Sequence, residues 1–347
     1  MSPCIRSSIT ARARAALAGA AMLALSANAA SAAGSATLDA VRARGSVVCG
    51  VQATNVPFSQ PDQQGVWHGM DIDSCRALAA AIFGDPAKIT IRPVTGLTRF
   101  PSVQSGETDV LFGSTTWITT RESSLGLLFA GANFYSGQGF ITHAALGVKS
   151  ARELNGATIC VPPGSTSEVI LEDYFRKIGA KFTPIVIDDP NQIAASFLSG
   201  RCDVYTRDAT GLAGFRSQQP NPGQFTVLPE IISMEPLGAF VRKGDDSWFD
   251  IVRWTQFALV AAEQLGVTRE NVATMATAKN PDIRRLLGTE GGVGPTMGLD
   301  KLWATHAIQA VGNYGETWQR NAAPLGLERG LNRLWSEGGL MYSPPLR

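Results

Sequence analysis

Ser105-Gly106-Glu107-Thr108-Asp109-Val110 returns 94 residues later as Ser199-Gly200-Arg201-Cys202-Asp203-Val204. In each copy an amphipathic stretch ends at glycine, which readily takes the left-handed conformation that closes a helix, and a short apolar strand follows. Upstream, Gly45-Ser46-Val47-Val48-Cys49 is echoed by Gly156-Ala157-Thr158-Ile159-Cys160, both short and apolar, read as buried strands. Between these markers the first half predicts a helix over 71–83, a strand over 88–94 and a helix over 98–105. The second half predicts a helix over 167–178, a strand over 181–187 and a helix over 190–199, the last started by Asp189-Pro190. Two β-α-β-α-β runs require right-handed crossovers and parallel sheets. The expected fold class is therefore α/β, built as two doubly wound lobes.

Two glycine-containing strands, Ser136–Ile141 and Glu235–Val241, bracket the second half and read as a two-strand hinge. Lobe 1 is then discontinuous, 33–138 plus 237–347, and lobe 2 is 139–236. The helical stretch Asp250–Leu265 carries Ile251, Trp254, Phe257, Ala258 and Ala261 on one stripe, which packs it back on lobe 1. Trp303 and Trp318 also fall in helical patterns and read as core; residues 270–347 form a helical extension with a Gly/Pro-rich end. A length of 347 residues, too great for one ordinary domain, agrees with two lobes.

The N-terminus adds an address. Arg6, Arg12 and Arg14 precede the apolar run Ala15–Leu25, and Ala30-Ser31-Ala32 is an A-x-A cleavage site, so residues 1–32 read as a secretory signal peptide. No later apolar run reaches the roughly 20 residues that span a bilayer, so the expected product is exported and soluble. Removing three arginines from the 30 Lys+Arg leaves 27 against 29 Asp+Glu, a formal charge of −2. Without basic excess, nucleic acid is excluded as an expected partner. His68, His143 and His306 lie far apart, so no metal site and no cofactor are expected. Cleavage leaves Cys49, Cys75, Cys160 and Cys202, and an even number in an oxidising compartment favours two disulfides among three pairings. Cys49–Cys75 and Cys160–Cys202 keep each bridge inside one βαβ half, leaving the lobes free to move.

In open parallel sheets ligands sit beyond the carboxyl ends of the strands, so two facing lobes make a cleft. The 94-residue offset maps Ser114 onto Asp208, in opposing walls. Thr115-Thr116-Trp117-Ile118-Thr119-Thr120-Arg121 crowds hydroxyls, an indole and a cation into seven residues, and Trp117 falls in the cleft segment. Gly164-Ser165-Thr166-Ser167-Glu168 follows a strand and opens a helix whose free N–H groups suit an anion. Arg121 with the N–H groups at Ser165 and Thr166 can hold a carboxylate, and Asp208 can take an ammonium group. The set is complementary to a zwitterion.

Here the chain resembles the periplasmic solute-binding proteins of polar amino-acid ABC transporters, most closely their general L-amino-acid-binding branch. The resemblance extends over 36–347 and is carried by Leu38–Gly45, Gly69-Met70-Asp71-Ile72-Asp73, Arg99-Phe100, Thr115-Thr116-Trp117, Cys202-Asp203-Val204-Tyr205-Thr206 and Glu230-Ile231-Ile232-Ser233. Gly244–Trp254 and the end Gly338–Pro345 add to it. It implies a hinge-closing receptor, expected as a monomer, that delivers free L-amino acids to a membrane permease. It also implies that Arg121 binds the ligand carboxylate with Thr116, that Ser114 lines the cleft, and that Asp208 binds the ammonium. Thr166 and Ser165 become helix-start donors, while Asn55 and Arg99 face the ligand side chain. Gly113-Ser114 and Thr119-Thr120 depart from the family pattern, which bears on selectivity.

Two other readings use the same architecture. One is an exported dehydratase-like enzyme with Asp208 and Glu122 as its acid and base, although no histidine joins the polar cluster and no G-x-S-x-G turn is present. The tract Gly291-Gly292-Val293-Gly294 follows a helical segment rather than a strand and reads as a loop. The other is a ligand sensor with no transport role.

Overall fold

A computed structural model describes residues 34–347; the expected signal peptide lies outside these residues. The order begins α1 (Ala36–Arg44), β1 (Val47–Gln52), β2 (Gln60–Pro61), β3 (Trp67–His68), α2 (Met70–Phe83), β4 (Ile89–Val94), α3 (Arg99–Gln104) and β5 (Val110–Thr116). Short α4 (Thr119–Ser123) leads to β6 (Leu127–Ser136), which runs into β7 (Gln138–His143). Next come β8 (Thr158–Val161), α5 (Thr166–Ile178), β9 (Thr183–Val186), α6 (Pro190–Leu198), β10 (Val204–Asp208), α7 (Ala209–Ser217) and β11 (Phe225–Val227). β12 (Glu235–Arg242) and α8 (Asp246–Gln264) follow. The chain ends with α9 (Val272–Met275), α10 (Pro281–Leu286), α11 (Val293–Thr296), α12 (Trp303–Val311) and α13 (Tyr314–Asn321).

Two five-stranded sheets form, ordered β4-β1-β5-β12-β6 and β11-β7-β10-β8-β9. The trios β4-β1-β5 and β9-β8-β10, each at one side of its sheet, are parallel and share one order, the structural form of the internal echo. The repeated aspartate does the same work twice. Asp109 accepts the N–H of Val48 at 2.7 Å, and Asp203 accepts the N–H of Thr158 at 2.8 Å. Each thereby ties the start of a lobe's third strand to its first.

The sheets are mixed, not wholly parallel. β12 pairs antiparallel with β5 and β6, and β7 pairs antiparallel with β10 and β11. The reason is the hinge: β7 and β12 enter their sheets directly from the other lobe, so the crossing rather than a βαβ unit sets their direction. β6 and β7 form one nearly continuous crossing between lobes, and β12 returns to sit between β5 and β6. The crossings touch at Gly137, where a Cβ would fall 2.2 Å from the Ser233 carbonyl oxygen, so only glycine fits.

Several helix starts and stops have a local cause. Ser165 caps α5 and Asp189 caps α6 with Pro190 behind it, while α1, α2 and α5 end at Gly45, Gly84 and Gly179 in the left-handed region. Disulfides join Cys49 to Cys75 and Cys160 to Cys202, each within one lobe. In the second sheet, neighbours along one strand feed opposite cores: Phe140, Ile159 and Val204 on one face, Ile141, Cys160 and Tyr205 on the other. α8 buries Ile251, Val252, Ala258 and Leu259, whereas Trp254 and Phe257 are only half-buried, so its apolar stripe is rotated from the expected one. Trp303 and Trp318 are core residues, and Trp318 stacks on Phe134 with centroids 5.3 Å apart. The C-terminal helices α12 and α13 thus extend the lobe 1 core rather than forming a further unit. Among the described residues no helix is long and apolar enough to cross a membrane.

Candidate functional site

The ends of β5 and β10 and the start of α5 meet in one cleft between the lobes, with about 700 Å³ of unfilled space, its mouth included. Ser114, Thr116, Arg99 and Arg121 line it from lobe 1; Ser165, Thr166, Arg207 and Asp208 line it from lobe 2. The cleft is nearly shut. Arg99 Nη2 donates to the Gly164 carbonyl at 2.9 Å, Leu97 N–H to Asp188 at 3.3 Å, and Gln218 to Gln60 at 2.6 Å, all across the lobes. A Cβ on Gly96 would fall 2.5 Å from the Pro163 carbonyl oxygen.

Arg121 and Arg99 are both buried, only 4% and 5% exposed. Burial first and then repulsion by Arg99 lower the Arg121 pKa to about 9, against the opposing pull of Glu235 and Asp208. Burial lowers Arg99 to about 10, opposed by Asp208, Asp188 and Glu235. Both guanidiniums lie over the Phe100 ring, at 4.7 Å and 5.1 Å from its centroid. Arg121 Nη1 donates to the Thr116 carbonyl at 2.5 Å, which fixes its direction. Across the cleft, burial and then Glu235 raise the Asp208 pKa to about 7, against the pull of Arg207 and Arg99. Asp208 Oδ1 and Arg99 Nε are enclosed without a hydrogen-bond partner. Among the described residues, neither Arg121 nor Asp208 is in an ion pair.

Other expected residues are placed as follows. Ser165 caps α5 and donates to the Pro162 carbonyl at 2.7 Å, which presents the helix start to the cleft. Asn55 is buried and reaches the cleft wall through its Nδ2 donor to Ser114 Oγ, at 3.0 Å. Trp117 departs from expectation. β5 ends at Thr116, and strand alternation turns Trp117 to the opposite face. There it is 50% exposed, stacked on Phe129 at 4.9 Å, with Nε1 donating to Glu122 at 2.8 Å. Glu122 is therefore away from the cleft and cannot serve with Asp208 as an acid–base pair. Among the described residues, no group of three His, Cys, Asp or Glu side chains could hold a metal ion.

The match to the bacterial extracellular solute-binding proteins, family 3, spans residues 47–267. The chain belongs to this family. The solute-binding protein is 48% identical over 334 residues to the general L-amino acid-binding periplasmic protein AapJ of Rhizobium johnstonii, covering 95% of this chain and 97% of the relative. It is 49% identical over 329 residues to the glutamate/glutamine/aspartate/asparagine-binding protein BztA of Rhodobacter capsulatus, covering 94% and 97%. Among solved structures it is similar to an ABC transporter periplasmic binding protein from Brucella ovis with glutathione bound. That likeness has a TM-score of 0.87 and 47% identity, and covers 90% of this chain and 99% of the other.

Three residues in or behind the wall of this solute-binding protein's cleft escape sequence reading. Glu235, buried at the start of β12, accepts from Thr116 of one lobe and Thr166 of the other, both at 2.6 Å, and from Ser233 at 2.7 Å. A lone acid in the apolar hinge strand Glu235–Val241 was the available signal. Arg207 binds Asn55 across the lobes. Asp71, on the first turn of α2, accepts the N–H and hydroxyl of Ser114 at 3.2 Å and 3.3 Å. Ser114 has φ +45°, a left-handed conformation unfavourable for a side-chain-bearing residue, so Asp71 holds a strained wall position.

Proposed function

We propose that this protein is a periplasmic receptor that binds free L-amino acids between its lobes and delivers them to the membrane permease of an ABC transporter. The observation that carries the reading is the pair Arg121 and Asp208: groups of opposite type from different lobes, enclosed in one cleft and, among the described residues, neither in a direct ion pair. An α-amino acid supplies the missing carboxylate and ammonium together. Ligand contact with both walls favours the closed arrangement, so binding and closure are one equilibrium. The lobes are 33–138 plus 237–347 and 139–236, and the exported, monomeric chain performs no chemistry on its ligand.

Polar ligands fit best. Arg99 and Arg207 add positive charge beyond the grip on the α-carboxylate, and Gln52 and Asp188 add further polar groups. The relatives named for general L-amino acids and for glutamate, glutamine, aspartate and asparagine support this range. Glutathione, found in the Brucella relative, also carries a free α-ammonium and α-carboxylate.

The test is a thermal-shift screen of the twenty amino acids. Ligand at about a hundred times its Kd stabilises a protein by about 2.7 kcal/mol, enough for a rise of several degrees. Glutamate, glutamine, aspartate and asparagine are expected to give the largest rises. No shift with any amino acid overturns the reading.

A further inference from the structure

The cleft does not end at Arg207. Beyond that side chain a second chamber opens, sharing Pro190, Tyr205 and Arg207 with the cleft wall and holding about 610 Å³ of unfilled space, its mouth included. Its other walls are neutral, with the polar groups of Thr54, Asn191, Gln218 and Gln219 beside Ala194 and Phe215, so among the described residues Arg207 is the one charged group that lines it. The partition between the chambers is a side-chain contact: Arg207 Nη2 donates to Asn55 Oδ1. The guanidinium rests against α7 at Gly211, where a Cβ would fall 2.6 Å from Arg207 Nε. Glycine at this position leaves the space in which the arginine lies. Arg207 therefore lies in the wall that the two chambers share, held there by side-chain hydrogen bonds to Asn55 and to the Tyr205 hydroxyl.

We propose that the second chamber is a subsite for the extension of a ligand larger than one amino acid. The ligand class is an α-amino acid whose side-chain carboxyl is amide-linked to a further residue ending in carboxylate, as in γ-glutamyl dipeptides. This rests on the α-amino-acid reading of Arg121 and Asp208. Arg207 exchanges the neutral Asn55 amide for the ligand's terminal carboxylate, a stronger partner for a guanidinium. Asn191, Gln218 and Gln219 can meet the peptide amide, and the neutral walls leave Arg207 uncontested as the anion's counter-charge.

The test is calorimetry with L-glutamine and γ-L-glutamylglycine, which share the head group and differ only in the extension. The unsubstituted protein is expected to bind both. Arg207→Gln should lower dipeptide affinity roughly ten- to hundredfold more than glutamine affinity, the range for one lost charge-assisted hydrogen bond. Ala194→Phe, at a half-exposed position lining only the second chamber, should lower dipeptide affinity roughly tenfold or more and leave glutamine binding unchanged. Glutamine bound without the dipeptide, or both ligands weakened equally by each variant, overturns the subsite and leaves the amino-acid reading standing. Neither probe bound overturns both.

Discussion

Arg121→Ala loses amino-acid binding by about two to three and a half orders of magnitude while the protein stays folded. Arg121 is almost fully buried in the closed cleft, and its nearest cationic neighbour, Arg99, repels it. In the proposed complex the ligand carboxylate pairs with this charge; without the arginine that carboxylate is enclosed without its direct partner. Leaving one member of a buried pair alone costs about 3–5 kcal/mol, and about 1.4 kcal/mol is a tenfold change in affinity. Stability moves differently. Desolvation already lowers the Arg121 pKa, so the charge is unfavourable in the closed form without ligand. Its removal should therefore leave the melting temperature of the ligand-free protein unchanged or raised. Calorimetry gives the affinity and thermal unfolding gives the fold. Near-wild-type affinity in Arg121→Ala removes this residue from the site.

Asp71→Asn changes how stability depends on pH, by about 4 kcal/mol between pH 4 and pH 8. Burial raises the Asp71 pKa from an ordinary 3.8 to about 7, against hydrogen bonds from Asn133 and Ser114 that lower it. The folded protein thus binds a proton at Asp71 that the unfolded chain has released between those values. Stability from this group is full below pH 3.8 and is lost as pH rises through about 7. A shift of about three units at 1.36 kcal/mol each gives the stated size. Asparagine does not titrate and keeps an acceptor for Ser114, so the variant gains on the wild-type protein as pH rises and exceeds it at pH 8. Urea unfolding of both proteins at several pH values measures the difference. A difference that stays constant with pH shows that Asp71 does not carry this proton.

Much of this fold was legible because it is stated twice. The Ser-Gly-x-x-Asp-Val echo marks the two places where an aspartate ties a third strand to a first. Helix ends followed from capping residues and glycines, and the four helices of the two halves fall within one residue of the expected ranges, whereas β1 runs three residues past the expected Cys49. What escaped reading depends on tertiary contact. β6 lies in no repeat, and the antiparallel pairing of β12 and β7 follows from where the chain crosses between lobes. The charged pair of the cleft was visible because Arg121 and Asp208 sit beside strand ends. Glu235 was not, since its partners Thr116 and Thr166 are 119 and 69 residues away. Trp117 misled because it adjoins a cleft residue in sequence, and adjacent positions at a strand end face opposite ways.

In the proposed complex one zwitterion is held by opposite charges from two lobes, with Glu235 tying the threonines of both walls behind it. A crystal structure of the protein grown with L-glutamate tests this most directly. In that crystal the α-carboxylate is expected on Arg121 with the start of α5, and the α-ammonium on Asp208. Glutamate bound outside the cleft, or held by one lobe alone, contradicts it.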